Sequence, residues 1–385
     1  MTNTANTQKK KARWPLLVAT GAALAAVTAG MVPAAATGRP APAPSLTHVT
    51  SDAAGPLDRK ALREAIGGLP DRVVTGALVK VSGREGRWTG TAGPSVPSAD
   101  AHFRIGSATK LFTSAIALQL VGEDRLRMDS TVREVLPGVL PADYPHDITL
   151  GQLLSHTSGL PQPKCVEEGP PAHVVATALS CADPTKPGET SQYNGINYFI
   201  VGMMIEKVTG RSYAQELNAR ILRPLGLRHT SLPDPDDRSV PTPYTRAAVA
   251  KTPEAKELTD ITESDPWPWA EGGMISNAPD LTRFIRALLG GRLLEPAQQK
   301  LLFTIPEAKA NGATFSWGGL MRHQMDNGTV VWGKTGSYAG YTSGVFATRD
   351  LGRVLVYSMN PTNRAPETGR VMAIANAAFQ GVASK

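Results

Sequence analysis

Cysteine is nearly absent from this 385-residue sequence, which holds only Cys165 and Cys181. Two cysteines without a histidine pair nearby supply too few ligands for a structural metal site. The seven histidines are scattered along the chain, so no metal is expected. Aromatic residues make up 6%, and no basic patch interleaved with them appears, which argues against nucleic acid as a partner. Beyond residue 32 there is no apolar run long enough to span a bilayer. No G-x-S-x-G occurs, so a nucleophile-elbow hydrolase is not supported. There is no internal repeat.

The start of the chain has its own character. Lys9, Lys10, Lys11 and Arg13 precede an apolar run from Trp14 to about Val32, followed by Ala34-Ala35-Ala36. A basic n-region, an apolar stretch and an A-x-A site are the layout of a secretory signal peptide over residues 1–36; an uncleaved membrane anchor is the other reading, since the run is nearly long enough to span a bilayer. The chain is therefore expected to be exported, as a secreted or cell-wall-associated protein. Four of the 40 basic residues and no acid lie in that n-region, so cleavage lowers the formal net charge from +7 to +3. Residues 37–56, rich in Pro, Ala and Ser, read as a flexible linker. In an oxidising compartment Cys165 and Cys181 favour a disulfide over two buried thiols. Closing so short a loop is worth roughly 3 kcal/mol in the chain-entropy model.

From residue 57 the pattern becomes that of a folded domain. Helical periodicity covers 57–69 and stops at Gly67-Gly68; residues 72–93 alternate as a hairpin that breaks at Ser82-Gly83-Arg84. Helices are expected over 107–121, from 148 into a Ser/Gly/Pro turn, over 197–209, from Ser212 with a capping box to Pro224, over 278–290 and over 295–304. Three β-rich runs, TVVWGKTG, YTSGVFAT and RVLVYSMN, then form an antiparallel meander, and 366–380 return to helix. The fold class is α+β: an antiparallel sheet flanked by N- and C-terminal helices, with an inserted all-α part. The α/β part covers about 57–106 and 310–385, and the helical part about 107–309.

Three short features bear on chemistry. Ser107-Ala108-Thr109-Lys110 puts a hydroxyl and an amine one helical turn apart. A helix start there offers partial positive charge and unpaired N–H groups to an oxyanion. The same serine also suits a plain N-cap with an exposed lysine. Lys334-Thr335-Gly336 lies on an expected strand, where glycine admits another backbone and a substrate can add as an extra strand. A lysine-blunted edge strand is the other reading. Tyr193 sits in a polar loop before a helix, and nearby ammonium groups would lower its ionisation. It suits proton transfer, or simple packing with a wet hydroxyl.

Taken in order, S-x-x-K, the tyrosine loop and K-T-G on a strand resemble the penicillin-recognising serine hydrolases. FRIGSATKLFTSAIALQL, ITLGQLLSHTSGLP, GGMISNAPDLTRFIRALLGG and WGKTGSYAGYTSGVFATRDLGRVLVY extend the likeness over about residues 57–380. That family holds secreted serine D-Ala-D-Ala carboxypeptidases and class C β-lactamases. The resemblance implies that Ser107 is acylated, Lys110 shuttles its proton, and Tyr193 is the general base. It implies that Lys334, Thr335, Gly336 and Ser337 bind substrate, with an oxyanion hole from the N–H groups of Ser107 and Ser337. Arg322 falls near the place of a substrate-carboxylate arginine in carboxypeptidase relatives. The implied enzyme is a monomeric D-alanyl-D-alanine carboxypeptidase on cell-wall stem peptides, without cofactor. A β-lactamase, a small-ester hydrolase and a catalytically weak penicillin-binding protein are the alternatives. One departure stands out: the family's Y-x-N reads Tyr193-Asn194-Gly195 here, and glycine cannot present the usual amide to the acyl side chain or to the first lysine. Asn194 would point elsewhere, and Asn197 could substitute only in a rebuilt turn.

Overall fold

The computed structural model describes residues 56–381, apart from 163–164, 181–182, 253–254, 256, 264–267 and 364–366. The expected signal segment 1–36 and the linker up to residue 55 lie outside the described residues, as does Cys181.

The chain opens with helix α1 (Arg59–Ile66), whose N-terminus is capped by the Asp58 carboxylate accepting from the Ala61 N–H at 2.9 Å. It buries Leu62 and Ile66 and leaves its charged face in water. A tight hairpin follows, β1 (Val74–Gly83) and β2 (Gly86–Ala92), with Gly83 opposite Gly86. The chain then leaves the sheet for more than 200 residues before returning as β3 (Thr314–Phe315), β4 (Met321–Gln324), β5 (Val330–Tyr338), β6 (Tyr341–Thr348) and β7 (Arg353–Pro361). The strand order is β2-β1-β7-β6-β5-β4-β3, antiparallel throughout. The N-terminal hairpin thus joins the edge of the C-terminal meander through β1 and β7.

β6 and β7 are buried along their whole length because both faces of the sheet are covered. Side chains alternate across a strand. Leu355 and Tyr357 therefore face the layer formed by α1 and the C-terminal helix α6 (Gly369–Phe379), while Val354 and Val356 face the helical part. At the centre of that part stands α2 (Thr109–Gly122), with 11 of its 14 residues buried. Around it pack α3 (Ile196–Thr209), the one-turn α4 (Trp269–Gly272) and α5 (Ala278–Leu289). Phe112 of α2 and Phe284 of α5 stack with ring centroids 3.6 Å apart. Truncating either fully buried ring to alanine is expected to destabilise by about 3–5 kcal/mol.

One expected helix end moves. The helix from Ser212 has its capping box with Gln215 but runs past Pro224 to Leu225, where Gly226 ends it in the left-handed conformation. A proline lacks an N–H and collides with the carbonyl four residues back. Here the preceding turn, Asn218–Leu222, is widened to a π-turn in which the Arg223 N–H reaches back to the Asn218 carbonyl. The wider turn lets the chain carry the proline. Cys165 is disulfide-bonded. No described helix is long and apolar enough to cross a membrane.

Candidate active site

The short strand Phe103–Arg104 pairs with Ile275–Ser276 and delivers the chain to a 3-10 turn, Gly106–Ala108, directly before α2. Ser107 does not cap that helix. Ala108 occupies the N-cap position without a side-chain bond. The Ser107 hydroxyl instead accepts from the Tyr193 phenol at 2.6 Å and from the Lys110 ammonium at 3.3 Å. Lys110 is fully buried rather than exposed.

The K-T-G strand lies against the Ser107 turn. A Cβ on Gly336 would stand 1.9 Å from the Ile105 carbonyl oxygen, and one on Gly106 (φ +49°) only 2.4 Å from the Ser337 carbonyl oxygen. Only glycine at both positions lets the two backbones meet. This contact brings the main chain of Ser107 beside that of Ser337, the pair expected to form an oxyanion hole. Ser343 of β6 fixes it further by donating to the Ile105 carbonyl at 3.0 Å. Lys334 and Thr335 are buried beside the site. The Lys334 ammonium sits 4.7 Å from the centroid of the Tyr193 ring, and the Lys110 ammonium 5.1 Å from it.

Arg322 is not brought into this group. It is exposed on β4, and among the described residues its guanidinium reaches only the Gln324 side chain, at 3.5 Å.

Two residues with no role read from the sequence complete the site. His156, at positive φ (58°), is buried, with its ring 4.5 Å from those of Tyr193 and Phe315. Its Nδ1 accepts from the Asn194 N–H at 3.2 Å and faces the Asn197 amide at 3.0 Å. Burial, then the charges of Lys110 and Lys334, keep this imidazole neutral well below its ordinary range. It is a flat, uncharged backing for the tyrosine.

The second is Glu271, on α4. Its carboxylate forms an ion pair with Lys110, and its main-chain carbonyl accepts from the same ammonium at 2.6 Å. α4 is held to α2 on both sides of it. Thr113 donates to the Ala270 carbonyl at 2.7 Å, and the Met274 N–H donates to Thr109 at 3.2 Å. Gly202 of α3 permits the approach, since a Cβ there would meet the Trp269 ring at 2.7 Å.

Glu271 fills the place left by the shortened tyrosine motif. A Cβ on Gly195 would lie 3.1 Å from Glu271 Oε2, so the carboxylate stands where a side chain at 195 would begin. The two nearby asparagines are engaged elsewhere. Asn194 donates to the carbonyls of Leu160 and Pro161 and accepts from the Ile196 N–H at 2.9 Å. Asn197 accepts from Ser158 at 2.6 Å and contacts His156.

These neighbours set the protonation of the site. Burial pushes Lys110 down, but Glu271 and then Tyr193 outweigh it and hold the ammonium above its usual range. Burial raises the Tyr193 phenol; Lys110 pulls it down and Glu271 pushes it up, leaving it raised. Burial and the charge of Lys110 drive Lys334 well below the usual ammonium range, against a weaker opposing pull from Glu271. At rest the serine therefore receives hydrogen bonds from a protonated phenol and a charged ammonium.

Comparison with known proteins places this geometry. The beta-lactamase family model matches residues 62–379. Penicillin-binding protein 4 of Amycolatopsis lactamdurans is 31% identical over 217 residues, 53% of this chain and 56% of that protein. The protein flp of Staphylococcus aureus (strain COL) is 27% identical over 229 residues, 56% of this chain and 45% of that protein. The chain thus spans about half the length of the curated relatives it matches. Among solved structures, a D-stereospecific amidohydrolase from Streptomyces sp. superposes with a TM-score of 0.73 at 31% identity, covering 84% of this chain and 98% of that one. The D-amino acid amidase of Ochrobactrum anthropi SV3, at 22% identity and a TM-score of 0.71 over 83% of this chain and 98% of its own, shares the fold. With the family model spanning the whole sheet and the helical part between its halves, the chain belongs to the beta-lactamase family of serine hydrolases.

Proposed function

We propose that this serine hydrolase cleaves amide bonds of D-amino-acid derivatives through an acyl-enzyme on Ser107. The observation that carries the proposal is the Ser107 hydroxyl held at 2.6 Å from Tyr193 and 3.3 Å from Lys110. In the reactive form the Tyr193 phenolate takes the Ser107 proton as Oγ bonds to the carbonyl carbon. The backbone N–H groups of Ser107 and Ser337 receive the oxyanion. Tyr193 then returns the proton to the leaving amine as the C–N bond breaks. Water enters, gives a proton to Tyr193 and bonds to the acyl carbon. The proton passes back to Ser107 as its bond to the acyl group breaks. Because the phenol is held above its ordinary value, kcat/KM should climb from neutral into alkaline pH.

Support for a D-amino-acid amide comes from the likeness to the Streptomyces amidohydrolase over nearly all of that protein. D-alanyl-D-alanine carboxypeptidase action is the second reading, favoured by Lys334 and Thr335 beside the serine and by the penicillin-binding relative. It lacks support from Arg322, which is exposed and away from the group. The basic and apolar N-terminal segment supports export as part of the same proposal.

The test is intact-mass measurement of the full chain, and of Ser107→Ala, with a D-amino-acid amide, D-Ala-D-Ala and a fluorescent penicillin. Amide turnover with an acyl adduct that Ser107→Ala lacks is the expected result. Turnover of D-Ala-D-Ala alone favours the carboxypeptidase, and rapid penicillin turnover a β-lactamase. Neither adduct nor turnover from any of them overturns the enzyme reading.

A further inference from the structure

A carboxylate inside a site built around two lysines needs a reason beyond holding one of them. Glu271 spends Oε2 and its main-chain carbonyl on Lys110. Oε1 accepts no hydrogen bond among the described residues, and the side chain is 21% exposed, whereas Lys110 beneath it is 0% exposed. The carboxylate therefore presents one oxygen outward. The opening beside it is made by Gly195, whose missing Cβ would have stood 3.5 Å from that oxygen.

The location fits one part of an acyl donor. An acyl group on Ser107 carries its α-substituents two bonds from Oγ's new carbon. Glu271 lies one hydrogen bond beyond Lys110, which itself touches Oγ at 3.3 Å. A substituent on the α-carbon, an α-nitrogen among them, can therefore be set against Oε1. A protonated amine there would donate to Oε1 in a charge-assisted bond. An N-acylated nitrogen keeps one N–H but loses its charge, so it can offer only the weaker neutral bond, and its acyl group brings a carbonyl oxygen toward the carboxylate.

We infer that Glu271 selects acyl donors with an unblocked α-ammonium, so that the substrates are D-aminoacyl amides or peptides with a free N-terminus rather than N-acylated chains. The inference rests on the amide-hydrolase reading above and names its substrate class. It makes Glu271 a specificity-determining residue that contacts substrate, in addition to its hold on Lys110.

The experiment compares D-phenylalanine p-nitroanilide with N-acetyl-D-phenylalanine p-nitroanilide in the full-length protein and in Glu271→Gln. The native protein should prefer the free amine by about a hundredfold in kcat/KM, and Glu271→Gln should shrink that ratio about tenfold or more. A carboxylate that only positions Lys110 would slow both substrates and leave the ratio unchanged, which overturns the assignment. Equal turnover of the two by the native protein overturns it as well. A second readout needs no variant. The preference should decline as pH passes about 8 and the substrate ammonium is lost, because Lys110, Tyr193, Lys334 and His156 titrate alike for both substrates. A ratio that stays flat through that range also counts against it. If neither anilide acylates Ser107, the amide-hydrolase reading itself fails, an outcome distinct from hydrolysis without preference.

Discussion

Two buried lysines flank Ser107, one from the helical side and one from the sheet, and the protein treats them oppositely. Lys110 faces a carboxylate and a carbonyl from the same residue, Glu271, and stays charged. Lys334 forms no ion pair among the described residues; its ammonium donates to the Thr335 carbonyl at 3.2 Å and is pushed toward the neutral amine. Packing explains the asymmetry. Lys334 lies on a strand whose neighbours supply aromatic rings and main chain, whereas α4 carries an acid up to α2. One lysine is complete before substrate arrives, and the other waits for an anion, whether a phenolate or a substrate carboxylate. Charge in this site is divided between a resident pair and a vacancy for negative charge.

Removing each lysine in turn should give the largest contrast. Lys110→Met strands the mostly buried Glu271 carboxylate and should cost about 2–4 kcal/mol in urea unfolding. Lys334→Met removes a buried amine without a counter-ion and should leave stability unchanged or raise it. Both should lower kcat/KM about a hundredfold or more. Equal destabilisation by the two would mean the difference in pairing carries no energy.

The contact between Gly195 and Glu271 can be broken from either end. Gly195→Asn places a Cβ 3.1 Å from Oε2 and an amide beyond it, so the carboxylate must give by a few tenths of an ångström where it pairs with Lys110, and kcat/KM should fall about tenfold. Adding Glu271→Ala to the same chain should recover part of that loss. Strict additivity of the two changes would show that they do not share space.

His156 sharpens the comparison through pH, since both ammonium groups help keep it neutral. Its native pKa is depressed, so below the unfolded value of about 6.5 the unfolded chain binds a proton that the native one refuses. Its contribution is complete above that pH and is lost as pH falls toward the native value, by about 1.4 kcal/mol per unit. His156→Gln should flatten the stability profile between pH 7 and 5.5 by up to that slope. An unchanged profile would mean the imidazole titrates normally.

The smallest effect is expected at Arg322. Exposed and bonded to Gln324 alone among the described residues, it should change kcat/KM less than twofold when replaced by alanine. A tenfold rise in KM for peptides ending in a carboxylate would return it to the site and favour the carboxypeptidase.

How much of this was legible beforehand follows from sequence separation. The hairpin, the meander and the helices carry their own periodicity and stops, and their boundaries fall within a few residues of the expectation. Ser107 and Lys110 share one helical turn, so their contact is local. Tyr193 and Lys334 reach the site only through tertiary packing, and the family likeness, not periodicity, brought them forward. Glu271 had no such guide. It lies 161 positions from Lys110 in WAEGG, where nothing marks it as chemical. The one clue was the missing amide at Gly195, which left a gap beside the first lysine that another group could fill. His156 was hidden differently: it lies inside ITLGQLLSHTSGLP, but its value comes from a ring packed at a tilt against Tyr193, which spacing cannot reveal. The π-turn before Pro224 escaped because the proline rule assumes a regular helix.

The burial of α2 on nearly every side has a further consequence, visible in exchange rather than in contacts. A helix with 11 of 14 residues out of water has no local route by which its amides can open. Its protons should exchange only when the whole domain unfolds. The nucleophile is therefore seated at the end of a segment expected to be among the slowest to exchange. Any adjustment between substrate and enzyme must then be made by the surrounding loops and by the substrate, with Ser107 as the fixed point.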